Sequence, residues 1–322
     1  MAKSQRGPSS SGQATPGQRQ GGGGGGGWSP PSGGRRPGPL AITLIAAALV
    51  VLVVGVIVGV KFAGGGSGKS ANAPGAAAAS PEVVHAATHV PPAVLAQVGT
   101  GPAGLVTPPA PIKGNHPPLT KDGKPEVLYV GAEYCPFCAA ERWAMVVAFS
   151  RFGTFSGLKA TQSSSSDQYP NTQTFSFYHS TYKSPYLSFT PVELETNQPN
   201  GQGSYTPLQK PTPAQSKLVS TYDKPPYVSP QSSGGIPFVD FGNRYLVSGA
   251  SYSPQVLQGL SRGTIAGSLS IPDAKSAQAV DATANYLTAA VCQITHNRPA
   301  SVCSTPAITK AGAALASGKP AP

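Results

Sequence analysis

Charge and sulfur are both scarce in this chain. Of its 322 residues only 11% are charged, and there are 4 Cys, 2 Met and 2 Trp. Beside Cys135 and Cys138 there is no second closely spaced cysteine pair, which disfavours a structural zinc centre with its four ligands. Acid is missing altogether from residues 1–39, which hold Lys3, Arg6, Arg19, Arg35 and Arg36. The formal charge of +11 is therefore concentrated outside the foldable part: Lys121 to Cys303 contains 13 Lys+Arg against 11 Asp+Glu. A nearly neutral domain lacks the clustered basic footprint of a nucleic-acid reader, so nucleic acid is not expected as a partner. Histidine is also sparse. His85 and His89 stand four apart, as on one helix face, but nothing nearby completes a site, and no metal is expected.

Glycine and proline are abundant, at 39 and 35, and unevenly placed. Residues 1–38 consist mainly of Gly, Ser, Gln, Pro and Arg, with the run Gly21 to Gly27, and are expected to be a disordered cytoplasmic tail. Leu40 to Val60 carries no charge, with Thr43 its one clearly polar member, so residues 39–61 are expected to span a membrane as a helix. Arg35 and Arg36 ahead of it place the N-terminus in the cytoplasm and the rest of the chain outside. A cleaved signal peptide ending near Ala71-Asn-Ala73 is the competing reading, disfavoured by the long preceding tail. Gly55 and Gly59 form a GxxxG that lets two such helices approach closely. Residues 62–79 read as a flexible linker.

The remainder carries elements at recognisable signals. Ser80-Pro-Glu is a helix start, and Pro91 to Val98 gives a further turn or two of helix. Asp122-Gly123 is a hairpin turn leading into a strand over Glu126 to Val130. Ala139 to Phe149 has helical spacing, and Leu158 to Gln162, Thr174 to Tyr178 and Tyr186 to Thr190 are expected strands. Asn197 to Pro230 shows little core potential and reads as a long loop. Phe238 to Phe241, a Gly242-Asn243 turn and Arg244 to Ser248 make an antiparallel pair, followed by a short helix over Pro254 to Leu260. A final helix starts at Asp273 and runs to about Thr295 on the stripe Ala277, Val280, Ala284, Leu287, Val291.

The strand Val127 to Val130 runs into Gly131-Ala-Glu-Tyr-Cys135-Pro-Phe-Cys138 at a helix start. A thiol placed there has its charged form stabilised by unpaired backbone N–H groups and the positive end of the helix dipole. Cys135 is so placed, and Cys138 sits one turn further in. The pattern suits reversible dithiol exchange, with Cys135 attacking and Cys138 resolving. The alternative is a structural disulfide in a redox-inactive binding domain. Cys292 and Cys303 read as a structural disulfide closing a short loop, with a second redox pair as the alternative. Tyr169, Tyr178, Tyr182, Tyr186, Tyr205, Tyr222 and Tyr227 are expected to cover apolar surface, with a tyrosine-rich lid over a peptide groove as the alternative.

The stretch from Gly131 to Cys138, with Gly235-Ile-Pro-Phe238 followed by two strands and a helix, resembles the thioredoxin superfamily. The resemblance implies an α/β thioredoxin-like fold with a large insertion at about 163–232, in which Ile236-Pro237 is cis and faces Cys135. It implies a substrate groove formed by Tyr134, Pro136, Phe137, Ile236 and Pro237, and requires no bound cofactor. Many members carry a buried acid six positions before the first cysteine. Here that position is Tyr129, leaving Glu133, expected on a solvated loop, as the candidate for proton transfer. The anchor, the Gly-rich tail and the Ser/Tyr/Pro insert also resemble an uncharacterised membrane-anchored prokaryotic family catalogued as domain of unknown function 929, over about residues 80–305. Residues 306–322 are expected to be a disordered tail. The function implied is a single-pass, extracytoplasmic thiol-disulfide oxidoreductase whose partners are exported thiol or disulfide proteins and a membrane redox protein. The rival is a non-catalytic thioredoxin-fold module that binds a partner through its insert.

Overall fold

A computed structural model describes residues 77–317. They fall within a unit spanning Lys69–Pro322; the preceding unit, Met1–Gly68, with the expected tail and membrane-spanning stretch, lies outside the described residues, as does most of the expected linker. Among the described residues no helix is long and apolar enough to cross a membrane.

The last three residues of the expected linker are tied down. Ala79 N–H donates to Leu158 O at 3.0 Å and Ala77 O accepts from Ala160 N–H at 2.9 Å, so this end of the linker is an edge of the fold. Helix α1 (Pro81–Thr88) is capped by the Ser80 hydroxyl, which accepts from Val83 N–H, and α2 (Pro92–Val98) follows. Strand β1 is Ala110–Pro111, and β2 (Thr120–Lys121) forms a hairpin with β3 (Lys124–Gly131). Asp122 and Gly123 take φ of 51° and 72° there, the left-handed region their pairing signals.

Chain order continues with α3 (Pro136–Phe149), β4 (Thr154–Ser156), β5 (Lys159–Gln162), β6 (Gln173–Ser176), β7 (Thr181–Lys183) and β8 (Ser188–Glu193). The hairpin β9 (Glu195–Pro199) and β10 (Tyr205–Pro207) precedes α4 (Pro213–Tyr222). The chain closes with β11 (Phe238–Phe241), β12 (Tyr245–Ser248), a 3-10 turn at Pro254–Leu257, α5 (Arg262–Ser268), α6 (Lys275–Ile294), α7 (Ala300–Cys303) and α8 (Pro306–Ser317).

The main sheet runs β1-β12-β11-β3-β8. Strands β3 and β8 are parallel, with Val127 opposite Phe189 and Val130 opposite Val192; β11 runs antiparallel to β3, with Val239 opposite Tyr129. Alternation along β3 sends Val127 and Tyr129 into the larger core and Leu128 and Val130 into a smaller one. Both faces are therefore covered, which is why the strand reads as one continuous apolar run. Helices α3 and α6 pack together on the first face; Leu218, Val219 and Tyr222 of α4 belong to the core on the second.

Two expectations are corrected. The proposed insertion of 163–232 encloses β8, a strand of the main sheet, and its Asn197 to Pro230 part holds a hairpin and a helix rather than a bare loop. The 306–322 segment is helical to Ser317: Ile308, Ala311 and Leu315 share a buried stripe, and the small alanines let α8 settle on the Ala-rich α6.

Cys292 and Cys303 are joined, tying α6 to α7 with a sequence separation of 11. By loop-closure arithmetic the bridge contributes about 3 kcal/mol. The Cys292→Ser, Cys303→Ser double variant is expected to unfold at correspondingly lower urea. A midpoint equal to the parent's would show that the bridge adds nothing.

Candidate active site

Cys135 is the N-cap of α3, with extended backbone at φ −77° and ψ 121°. Pro136 occupies the first helical position, where its missing N–H removes nothing and its fixed φ suits the helix. Cys135 Sγ accepts the Cys138 backbone N–H at 3.2 Å, as a capping oxygen would. On its other side the thiol lies 3.6 Å from Ile236 O, to which it donates, and the Ile236–Pro237 peptide is cis. Hydrogen bonding from Cys138 comes first among the influences that lower the Cys135 thiol from its ordinary range, and it outweighs burial; the Arg142 charge acts the same way. Cys138 is fully buried and is pushed well above its ordinary value, first by burial. The two thiols are thus driven apart, the outer one toward thiolate and the inner one toward thiol.

Behind Cys138, Arg142 and Glu193 form an ion pair with both side chains wholly buried. Arg142 Nε donates to Glu193 Oε1 at 2.9 Å, and its Nη2 donates to Glu193 Oε2 at 2.6 Å and to Ala132 O at 2.7 Å. Phe177 N–H also donates to Glu193 Oε1. Burial works against the guanidinium charge, but Glu193, through its charge and its hydrogen bonds, together with Tyr129 and Cys138, outweighs it, and Arg142 is raised above its ordinary range. The pair connects the end of β8 to α3 and to the loop carrying Ala132.

Glu133 is not solvated. It is 7% exposed, beside the Thr161 hydroxyl, with its own N–H bonded to Glu195 O, because β9 and the β5–β6 hairpin close over the loop. Burial raises its carboxyl above the usual range. Glu141, on the helix one turn past Cys138, is wholly buried and pushed to about 7 by burial, although Ser251 N–H and Oγ donate to it.

The expected groove residues surround the thiol unequally. Pro136 and Pro237 are buried, while Tyr134, Phe137 and Ile236 are half-buried. The intervening chain reaches them: Tyr205 of β10 stacks on Tyr134 with centroids 4.2 Å apart, and Tyr169 meets Phe137 edge-on at 5.9 Å. Ser164 N–H donates to Tyr134 O at 2.8 Å. His85 and His89 stack on one another at the surface of α1, and among the described residues no group of three or more His, Cys, Asp or Glu is placed to hold a metal ion.

Sequence reasoning missed Arg142 and Glu193. The available signal was a charge pair, Glu141-Arg142, inside an otherwise apolar helix, with Glu193 standing between Val192 and Leu194.

These features define a mixed α/β domain with two buried thiols at the start of a central helix, backed by a buried ion pair. The family model described as Domain of unknown function (DUF929) matches residues 110–293, and the chain belongs to that family. No curated protein and no solved structure matches the chain.

Proposed function

We propose that this protein is a membrane-anchored, extracytoplasmic thiol-disulfide oxidoreductase acting on exported proteins, built on a thioredoxin-like fold. The observation that carries the reading is the Cys135 thiol capping α3, accepting the Cys138 N–H and lying against Ile236 O. A thiolate is the nucleophile in disulfide exchange, and a helix N-terminus beside a buried cation is the environment that stabilises it. The sheet order β12-β11-β3-β8, with β3 and β8 parallel and β11 antiparallel, supports the fold reading. The Cys292–Cys303 bridge suits an oxidising compartment, as does the apolar stretch Leu40 to Val60 after Arg35 and Arg36. The half-buried aromatic rim of Tyr134, Phe137, Tyr169 and Tyr205 offers apolar contact to an extended polypeptide.

A non-catalytic binding module draws on one observation, that Cys135 is only 4% exposed. Alkylation of the reduced protein across pH separates the two readings. The oxidoreductase reading expects a Cys135 midpoint below the ordinary thiol range, and loss of insulin reduction in Cys135→Ser. An ordinary midpoint together with no turnover by the parent protein sinks it.

A further inference from the structure

A resolving cysteine buried as Cys138 is buried would stay protonated and would not attack, unless its surroundings favour the charged form. Those surroundings contain two donor groups that nothing else uses. The Tyr129 side chain is completely buried, and its hydroxyl has no hydrogen-bond partner among the described residues. It converges with Cys138 Sγ on the same side of Gly131: a Cβ built on that glycine would overlap the hydroxyl oxygen and come within 3.1 Å of the sulfur. Arg142, one helical turn past Cys138, holds its guanidinium 5.8 Å above the centre of the Tyr129 ring, and its Nη1 is likewise unpartnered. Glu193 engages the other two nitrogens, so Nη1 is the one left available. A buried hydroxyl left unused near a sulfur that is neutral at rest and negative during reaction, with a guanidinium whose charge favours the thiolate, is arranged for the charged state.

We propose that the Tyr129 hydroxyl and the Arg142 guanidinium form a pocket that stabilises the Cys138 thiolate. This rests on the exchange reading for its use. With Cys135 joined to a substrate sulfur, Cys138 gives up its proton, which ends on the departing substrate sulfur, and its Sγ forms a bond to Cys135 Sγ. The bond between Cys135 and the substrate sulfur breaks, and the substrate leaves with the electron pair and takes up a proton. The two enzyme thiols end oxidised to a disulfide and the substrate sulfur ends reduced. Tyr129 turns its unused O–H toward the Cys138 thiolate as that charge forms, and Arg142 supplies the positive charge. The other groups acting on this sulfur are the Cys135 thiol at the start of the same helix and the backbone of Ala132, while Glu193 of β8 is paired to Arg142. Gly131 is required because any side chain there would separate the hydroxyl from the sulfur.

Tyr129→Phe removes one atom that bonds to nothing, so the variant is expected to fold, and its melting temperature checks this. In a Cys135→Ala background, Cys138 is the free thiol whose ultraviolet absorbance reports the thiolate. There Tyr129→Phe should raise the Cys138 midpoint by about one to two pH units, a 10- to 100-fold loss of thiolate. With both cysteines present and oxidised glutathione as substrate, formation of the mixed disulfide at Cys135 should keep its rate, while its resolution slows about tenfold or more. An unmoved midpoint in a folded variant overturns the pocket. A moved midpoint, in a parent protein that neither forms nor resolves the mixed disulfide, upholds the pocket and removes the exchange reading instead.

Discussion

Arg142→Met is expected to lower the unfolding free energy by about 3–5 kcal/mol, because it leaves Glu193 charged, buried and without its cation. Methionine fills much of the same space, so the loss comes from the orphaned charge rather than from a cavity. Phe177 N–H remains bonded to Glu193 Oε1, but one neutral donor does not replace two charged ones. The double variant Arg142→Met, Glu193→Leu removes both charges and should recover most of the loss, since a buried pair replaced by apolar groups is often close to neutral. Urea midpoints of the two variants decide the matter. If the single variant is as stable as the double, the pair is not acting as a mutually dependent unit.

Raising the pH from about 5 to 8.5 is expected to destabilise the protein, and Asp281→Asn is expected to remove much of that slope. Asp281 of α6 is wholly buried, and neither of its carboxylate oxygens has a partner among the described residues; burial pushes it up to about 8. Burial likewise raises Glu141 and Asp240 to about 7, each keeping a backbone donor, from Ser251 and Asn243. Between the ordinary carboxyl range and these raised values, the folded chain holds protons that the unfolded chain has released. Stability is then present at low pH within this window and falls as pH rises through 7 and 8, by up to about 1.4 kcal/mol per pH unit for each such group. Asn keeps the shape of Asp281 without titrating, so the variant should melt above the parent at pH 8.5 and near it at pH 5. A parent melting temperature that is flat or rising over this range contradicts the assignment.

Local signals made much of the fold legible. Asp122-Gly123 named its hairpin, Ser80-Pro81 its helix start, and Ala277 through Val291 the buried stripe of α6. The strand-to-helix passage at Gly131 to Cys138 announced where the thiols would stand. What stayed hidden depended on distant partners. Nothing local to Glu193 points to Arg142, and Glu133 is buried because β9 and the β5–β6 hairpin close over it, not because of its neighbours in sequence. Helix α8 was obscured by its Ala, Ser and Gly content, which looks like a tail until the matching small residues of α6 are beside it. For α4 a signal was present and unread: Thr212-Pro-Ala-Gln215 is a capping box, with Thr212 Oγ1 accepting from Gln215 N–H and the Gln215 side chain returning to Thr212 N–H.

The spacing of the four cysteines also bears on the order in which the chain acquires its structure. Four cysteines permit three pairings, and the cost of closing a loop grows with its length. Cys292 and Cys303 stand 11 apart, whereas the main sheet joins Glu126 to Ser188 and Val127 to Phe241 across most of the domain. Contacts of that range form late. Under oxidising conditions proximity therefore favours the Cys292–Cys303 pairing over either cross-pairing with Cys135 or Cys138, whose loops would be more than ten times longer.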